Sequence, residues 1–367
     1  MGIEDAHQDE NGLVWGTVPA TIDGDIPTIL FNSHVDTSPE APSANVTPQV
    51  IRDYEGGDIA LPKDNRVITV KDCPALDDLH GHTLVTTDGS TLLGGDDKAG
   101  VAAIMELAQH LIENPQLPHG KVRILFTCDE EIGKGASHMD LAKAGATAGY
   151  TLDGGGAGVV ENENFSADQV TIHASGYNIH PAIAKDQMVS ALRAMSKVVA
   201  KLPITELAPE TTSGKEGFLH PYAIEGGIAS ASCKVLLRDF DTNKLDEYYD
   251  LLESTCNEVQ TEVPGVAFNL ERQRQYRNMA DALLKMPQVV DFAVNAHEVI
   301  GNKFELGSIR GGTDGAVFSE MGLPTPNLSV GQHNIHSVLE FASLNQMVGA
   351  IEHAIKLLDL WQEHARS

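Results

Sequence analysis

The sequence predicts an α/β fold, a mixed sheet flanked by helices, interrupted by a smaller inserted α+β domain of ferredoxin-like type. Three observations carry the prediction. Short apolar β-runs alternate with a helix through the first third of the chain. The middle runs strand, helix, strand, helix, strand, with room for one more strand before the second helix. Helix-to-strand alternation then resumes near Met286. The divisions fall at residues 1–164, 165–277 and 278–367, the first and last forming one domain around the insert.

Thr28–Ser33 (TILFNS) is a short β-type run that ends at His34-Val35-Asp36. Thr83–Thr87 is a second strand, closed by the turn pair Asp88-Gly89. Ala99–Ile112 (AGVAAIMELAQHLI) is dense in helix formers, with apolar residues spaced for one buried face, and Pro115 and Pro118 end it. Val122–Thr127 (VRILFT) is almost wholly apolar, as a central strand covered on both faces must be. In the middle third, Val170–Ala174, part of Ile228–Phe240, and Val266–Leu270 read as strands. Ala184–Leu202, closed by Pro203, and Leu245–Val263, closed by Pro264-Gly265, read as helices. Helix Met286–Val299 leads toward the glycine-rich stretch Ile309-Arg310-Gly311-Gly312-Thr313-Asp314-Gly315.

A chain of 367 residues can bury two separate cores. Its formal net charge of −27, from 25 basic and 52 acidic residues, repels phosphate backbones, which argues against nucleic acid and anionic membrane surfaces as partners. The N-terminus lacks a basic region followed by an apolar run, and no apolar stretch reaches the length of about 18 residues that spans a bilayer. Cys73, Cys128, Cys233 and Cys256 form no C-x-x-C pair, so neither a thiolate zinc site nor a disulfide framework is expected. These features read as a cytoplasmic protein.

Five clusters carry chemistry, each at a strand end or glycine-rich turn, where open α/β sheets collect their ligands. In His34-Val35-Asp36 the alternate residues of an extended segment point the same way, so Asp36 can fix the imidazole; a histidine closing a strand beside a local acid is the plainer reading. Asp96-Asp97 before the Ala99 helix reads equally as a cap. Asp129-Glu130-Glu131 is harder to explain plainly, because three carboxylates directly after the most apolar strand are costly without cations. A metal removes that cost and lets one acid bind while its neighbour takes a proton. Asp153 with three following glycines, and His336 with the nearby decoy His333, mean little alone. Together the set offers imidazoles and carboxylates in the mix suited to zinc or a similar divalent ion, and enough of both for two metals.

These residues resemble the M20 metallopeptidases. The matching stretches are FNSHVDTSP (31–39), GGDIAL (56–61), TLLGGDDKAG (91–100), FTCDEEIGKGA (126–136), TLDGGGAG (151–158), LLRDFD (236–241), IRGGTDGA (309–316) and GLPTPNL (322–328), in the family's order over nearly the whole chain. The resemblance implies two Zn2+ per subunit, with Mn2+ or Co2+ as substitutes. It assigns His34, Asp96 and Asp153 to one metal and Asp96, Glu131 and His336 to the other, Asp96 bridging. It makes Glu130 the general base and acid and Asp36 the residue that orients His34. It implies a cis peptide between Asp96 and Asp97 and an insert serving as lid and dimerisation domain. His180 would polarise the scissile carbonyl, across a homodimer interface, while Asn178 and Arg310 would bind substrate. The activity implied is removal of the N-terminal residue from short peptides with a free N-terminus, tripeptides in particular. A dipeptidase, or an amidohydrolase of N-acyl amino acids, shares the same metal core; a metal-binding remnant or a truncated inactive product is the alternative of another class. Three departures stand out. The chain begins inside the family pattern, after its usual first helix, which would leave apolar core exposed. Cys128 stands where proline is usual, and Ser337-Val338-Leu339-Glu340-Phe341 replaces a glycine-containing segment.

Overall fold

The computed structural model describes residues 2–366. It comprises two compact units. One holds the chain up to Glu163, Met279–Ser308 and the chain from Thr313 onward; the other holds Asn164–Asn278 and Ile309–Gly312.

The first unit is built on a large mixed sheet. Its centre is four mutually parallel strands in the order Val122–Thr127, Ile29–His34, Ala148–Gly155 and Asn327–His333. Ile29 pairs with both Val122 and Ala148, and His34 with Thr127, so the carboxyl ends of these strands lie along one edge. Both faces are covered, which is why Val122–Thr127 and Ile29–His34 are buried at every residue. On one face Leu30 and Leu125 pack with Trp15, Phe318 and Leu323. On the other, Tyr150 stacks on Phe31 at 5.9 Å between ring centres and accepts the indole N–H of Trp361 at 2.9 Å, while donating to Val289 O at 2.9 Å. Those bonds satisfy the phenol, whose burial would otherwise be costly. Antiparallel strands extend both edges of the sheet, and among the described residues no helix is long and apolar enough to cross a membrane.

The predicted Ala99–Ile112 helix lies within Gly95–Glu113, whose start is kinked: Asp96 and Asp97 have non-helical backbone angles, with ψ of 102° and 36°. Gly100 sets how closely this helix approaches the sheet. A Cβ there would stand 2.0 Å from Leu152 O and 2.1 Å from Ser33 Oγ. Glycine therefore brings the Asp96-Asp97 turn against the ends of two central strands.

The second unit runs βαββαβ: strand Ser166–Ser175, helix Ala191–Lys201, strands Phe218–Gly226 and Ser230–Asp239, helix Lys244–Glu262 and strand Ala267–Tyr276. Numbered within the unit, the antiparallel strands lie in the order 2-3-1-4, the ferredoxin-like arrangement. Val170, Ile172, Val235 and Leu237 face Met195, Val198, Leu252 and Val259 of the two helices. The expected helix Ala184–Leu202 is shorter than its composition suggested. Asp186 takes a left-handed φ of 60°, and Ser190 Oγ then accepts the Arg193 N–H to begin the helix afresh.

Candidate metal centre

Each central strand of the first unit delivers a polar group at its carboxyl end. His34 ends one strand, Glu130 and Glu131 follow Val122–Thr127 in a 3-10 turn, and Asp153 lies near the end of Ala148–Gly155. His336 follows Asn327–His333. Asp96 comes from the first turn of the Gly95–Glu113 helix, and the Asp96–Asp97 peptide is cis.

Asp96 stands between the two imidazoles. Its Oδ1 lies 2.9 Å from His34 Nε2 and its Oδ2 lies 3.2 Å from His336 Nε2. His34 Nε2 is also 3.7 Å from Asp153 Oδ1, and His336 Nε2 is 3.0 Å from Glu131 Oε2. Glu130 Oε2 is 4.0 Å from His34 Nε2. Ligand atoms placed about 2.0–2.2 Å from a tetrahedral zinc stand roughly 3.3–3.6 Å from one another. The observed spacings bracket that range, with Asp96 turning one oxygen to each histidine.

The electrostatics fit a cation as well. Burial, then Asp97, Asp96 and Glu130, push the Asp153 carboxyl well above its ordinary range, with His34 opposing. Burial and the charge of Asp314, followed by Asp96 and Glu131, raise Glu130 to about 8, again with His34 opposing. The imidazoles move the other way. Against the burial that would lower it, Asp36 and Asp96 hold His34 well above its usual value; Asp96 and Glu131 raise His336 to about 10. Carboxylates crowded beyond what two imidazoles can neutralise, together with a buried Glu131 Oε1 lacking a hydrogen-bond partner, form a donor set that two divalent ions would complete.

The surroundings hold these groups in place. Asp36 Oδ1 faces His34 Nδ1 at 3.2 Å, and the Asp36 carboxylate accepts the N–H groups of Glu130 at 3.3 Å and Glu131 at 3.1 Å. Gln332 donates to Asp153 O at 2.8 Å and Oδ1 at 3.2 Å. Four acids of this neighbourhood carried no role in the sequence reading. Asp97 could join His34 and Asp153 in a second grouping of donor atoms. Both of its oxygens are already occupied, however: Oδ2 accepts the Ser33 hydroxyl and the His34 N–H at 3.1 Å, and Oδ1 accepts the Gly100 N–H at 3.2 Å. It is a support. Asp314 accepts the Thr127 hydroxyl, Glu40 lies 3.4 Å from His336 Nδ1, and Glu340 accepts three backbone N–H groups. For Asp97 and Asp314 the available signal was an acid within a glycine-containing turn; for Glu40 and Glu340 no local signal existed.

The remaining three sequence-selected residues lie in the second unit. Asn178 and His180 are exposed on the segment after Ser166–Ser175, and His180 Nδ1 accepts the Ala182 N–H at 3.2 Å. Arg310 is engaged. Nη1 donates to Gly214 O at 2.7 Å and Glu216 O at 2.9 Å, Nη2 donates to Thr212 Oγ1 at 3.0 Å, and the guanidinium lies over the rings of Phe165 and Phe218.

Residues 82–359 match the model of peptidase family M20/M25/M40. The chain is 40% identical over 366 residues to Peptidase T of Geobacillus sp. (strain WCH70), spanning 100% of this chain and 89% of the relative. It is 42% identical over 361 residues to Peptidase T of Salmonella arizonae, covering 98% and 88%. Among solved structures it resembles aminopeptidase PepT from Bacillus cereus, with a TM-score of 0.77 at 26% identity over 98% of this chain and 89% of that one. A tripeptidase from Staphylococcus aureus shares the fold with a TM-score of 0.78 at 21% identity, over 100% and 90%. A sheet edge gathering imidazoles and carboxylates, in a chain matched over most of its length, identifies a member of peptidase family M20/M25/M40.

Proposed function

We propose that the chain is a metallo-aminopeptidase that releases the N-terminal residue of short peptides with a free N-terminus, tripeptides above all. The observation that carries this reading is the convergence of His34, Asp96, Glu131, Asp153 and His336 at one sheet edge. It is supported by full-length similarity to proteins named Peptidase T. His34, Asp96 and Asp153 would hold one divalent cation, and Asp96, Glu131 and His336 the other. Zinc suits this imidazole and carboxylate set, with manganese or cobalt as substitutes. Bound there, two cations supply Lewis acidity and lower the pKa of water.

The chain's own residues supply the rest. Glu130 is half-buried beside the paired donor sets, and burial with the neighbouring acids raises its carboxyl, which suits a group that takes a proton from water and returns it to the departing amine. Asp36 keeps the His34 ring oriented and, through two backbone N–H groups, fixes the turn bearing Glu130 and Glu131. Because Ala182 N–H donates to His180 Nδ1, the neutral ring carries its proton on Nε2, the form that can donate to a developing oxyanion. Asn178 and Arg310 are read as substrate contacts. A peptide carboxylate reaching Arg310 would exchange for the bonds now made to Gly214 and Glu216. The reading extends to a cytoplasmic enzyme that pairs through its second unit.

The same metal core would serve a dipeptidase or an amidohydrolase, so the substrate's N-terminus is the discriminating feature. Purified protein loaded with zinc is expected to cleave trialanine and to leave N-acetyl-trialanine intact. Preferential cleavage of the acetylated peptide would overturn the aminopeptidase assignment in favour of an amidohydrolase. Cleavage that persists after exhaustive chelation would overturn the metal assignment.

A further inference from the structure

Glu340 is a carboxylate only 1% exposed, four residues beyond His336. Burying such a group is costly unless its lone pairs are used. Here Oε2 accepts the Leu93 N–H at 2.7 Å and the Gly94 N–H at 2.8 Å, and Oε1 accepts the Asp96 N–H at 2.9 Å. These donors lie in the turn leading into the Gly95–Glu113 helix, where Gly94 adopts a left-handed φ of 77° and Asp96 and Asp97 are still non-helical. Glu340 therefore fixes the backbone of that turn, reaching Asp96 from 244 positions away in sequence, while Asp97 Oδ1 caps the regular helix by accepting the Gly100 N–H. Gly95 leaves it room, since a Cβ there would lie 3.2 Å from Glu340 Oε1.

Its own backbone is anchored. The Glu340 N–H donates to Ser337 O at 3.1 Å, and the next residue, Phe341, begins a strand paired with both Asn327–His333 and Leu84–Thr86. One short segment thus carries a metal-site histidine and the group that fixes the backbone of Asp96. The 3.2 Å approach of Asp96 Oδ2 to His336 Nε2 is referenced to that segment. His34 and Asp153 have separate supports in Asp36 and Gln332.

We propose that Glu340 is a positioning residue that sets the spacing of Asp96 and His336, and with it the affinity of the metal position these two share with Glu131. The inference rests on the two-metal reading above.

The test is metal uptake by Glu340→Gln, read by competition with a chromophoric chelator for zinc and by the visible spectrum of the cobalt-loaded protein. The substitution keeps the shape but turns an amide N–H2 toward backbone donors. Because Asp96 serves both positions, the expected result is weakening of both equivalents, with the position shared with Glu131 and His336 weakened more, by roughly 10- to 100-fold, the range for lost support around a metal ligand. An altered cobalt spectrum should accompany it. Two equivalents bound as in the parent would overturn the proposal, as would equal weakening of both positions. Glu340→Asp, which keeps the charge but falls a methylene short, is read by the same criteria and decides the matter if the Gln variant does not fold. The parent protein is titrated first. Fewer than two equivalents there would overturn the two-metal reading itself, separately from the role of Glu340.

Discussion

At the scale of single residues, the centre separates groups that would bind metal from groups that orient them. Glu130 is the group assigned to proton transfer. Glu130→Gln should lower kcat by about 10²- to 10⁴-fold, the usual worth of a general acid–base, while metal analysis still finds two equivalents. Loss of metal with retained turnover would reverse the roles of Glu130 and Glu131. Asp36 touches both His34 and the Glu130–Glu131 turn. Asp36→Asn leaves a polar group of the same size, so the fold should survive while zinc affinity drops roughly 10- to 100-fold. Isothermal titration with zinc would measure it. His34-x-Asp36 was legible because alternate residues of a strand share a face. Glu340 was not, because its partners lie more than two hundred residues away and nothing in Ser337-Val338-Leu339-Glu340 marks a buried acid.

At the scale of elements, the Gly95–Glu113 helix and its glycine contact determine where Asp96 and Asp97 stand. Gly100→Ala would force a methyl against Leu152 O and Ser33 Oγ. Neither atom can yield freely, since one is backbone and the other hydrogen-bonds Asp97. Overpacking of this kind costs about 1–3 kcal/mol, and the cost here should fall at the top of that range. Urea unfolding would measure the stability loss, and zinc titration should show weakened binding because the displaced helix carries Asp96, the acid that stands between the two imidazoles. The run VRILFT identified its strand without error of boundary, since a strand covered on both faces has no polar side to blur the pattern. The Ala184–Leu202 helix was overextended for the opposite reason. Helix-forming composition continues through Lys185–Val189, but a left-handed residue at Asp186 breaks the helical path there.

At the scale of the whole molecule, stability should depend on bound metal and on pH. Ions that bind only the folded chain stabilise it by about 2.7 kcal/mol at a hundred times their dissociation constant. Chelation should therefore lower the unfolding midpoint, and zinc should restore it. The pH dependence includes a pair outside the metal centre. His297 and His353 stack with ring centres 3.7 Å apart between two helices, and His353 Nε2 contacts Ala293 O at 2.7 Å. Burial, and for His297 the neighbouring His353, lower His297 to about 3 and His353 to about 4, from an ordinary 6.5. Between pH 6.5 and 4 the unfolded chain takes up protons at both rings and the folded chain does not. Their contribution is thus intact above pH 6.5 and is lost progressively as pH falls toward 4. His297→Phe should flatten the decline in denaturant midpoint between pH 6.5 and 4.5 relative to the parent. An unchanged slope would show that the pair does not control it.

The amino-acid order alone determined the layered α/β class, the ferredoxin-like insert and the residue types of the metal centre, because periodicity, turn chemistry and acids placed after apolar strands are local properties. What the tertiary structure decided is which acids face the same point. Asp97, Asp153 and Asp96 look alike as letters; the parallel register that aligns His34 with Thr127, together with a buried carboxylate arriving from Glu340, turns Asp96 toward both imidazoles and leaves Asp97 hydrogen-bonded to the backbone. Such convergence depends on separations of tens to hundreds of residues closed by packing, and only the folded chain fixes those distances.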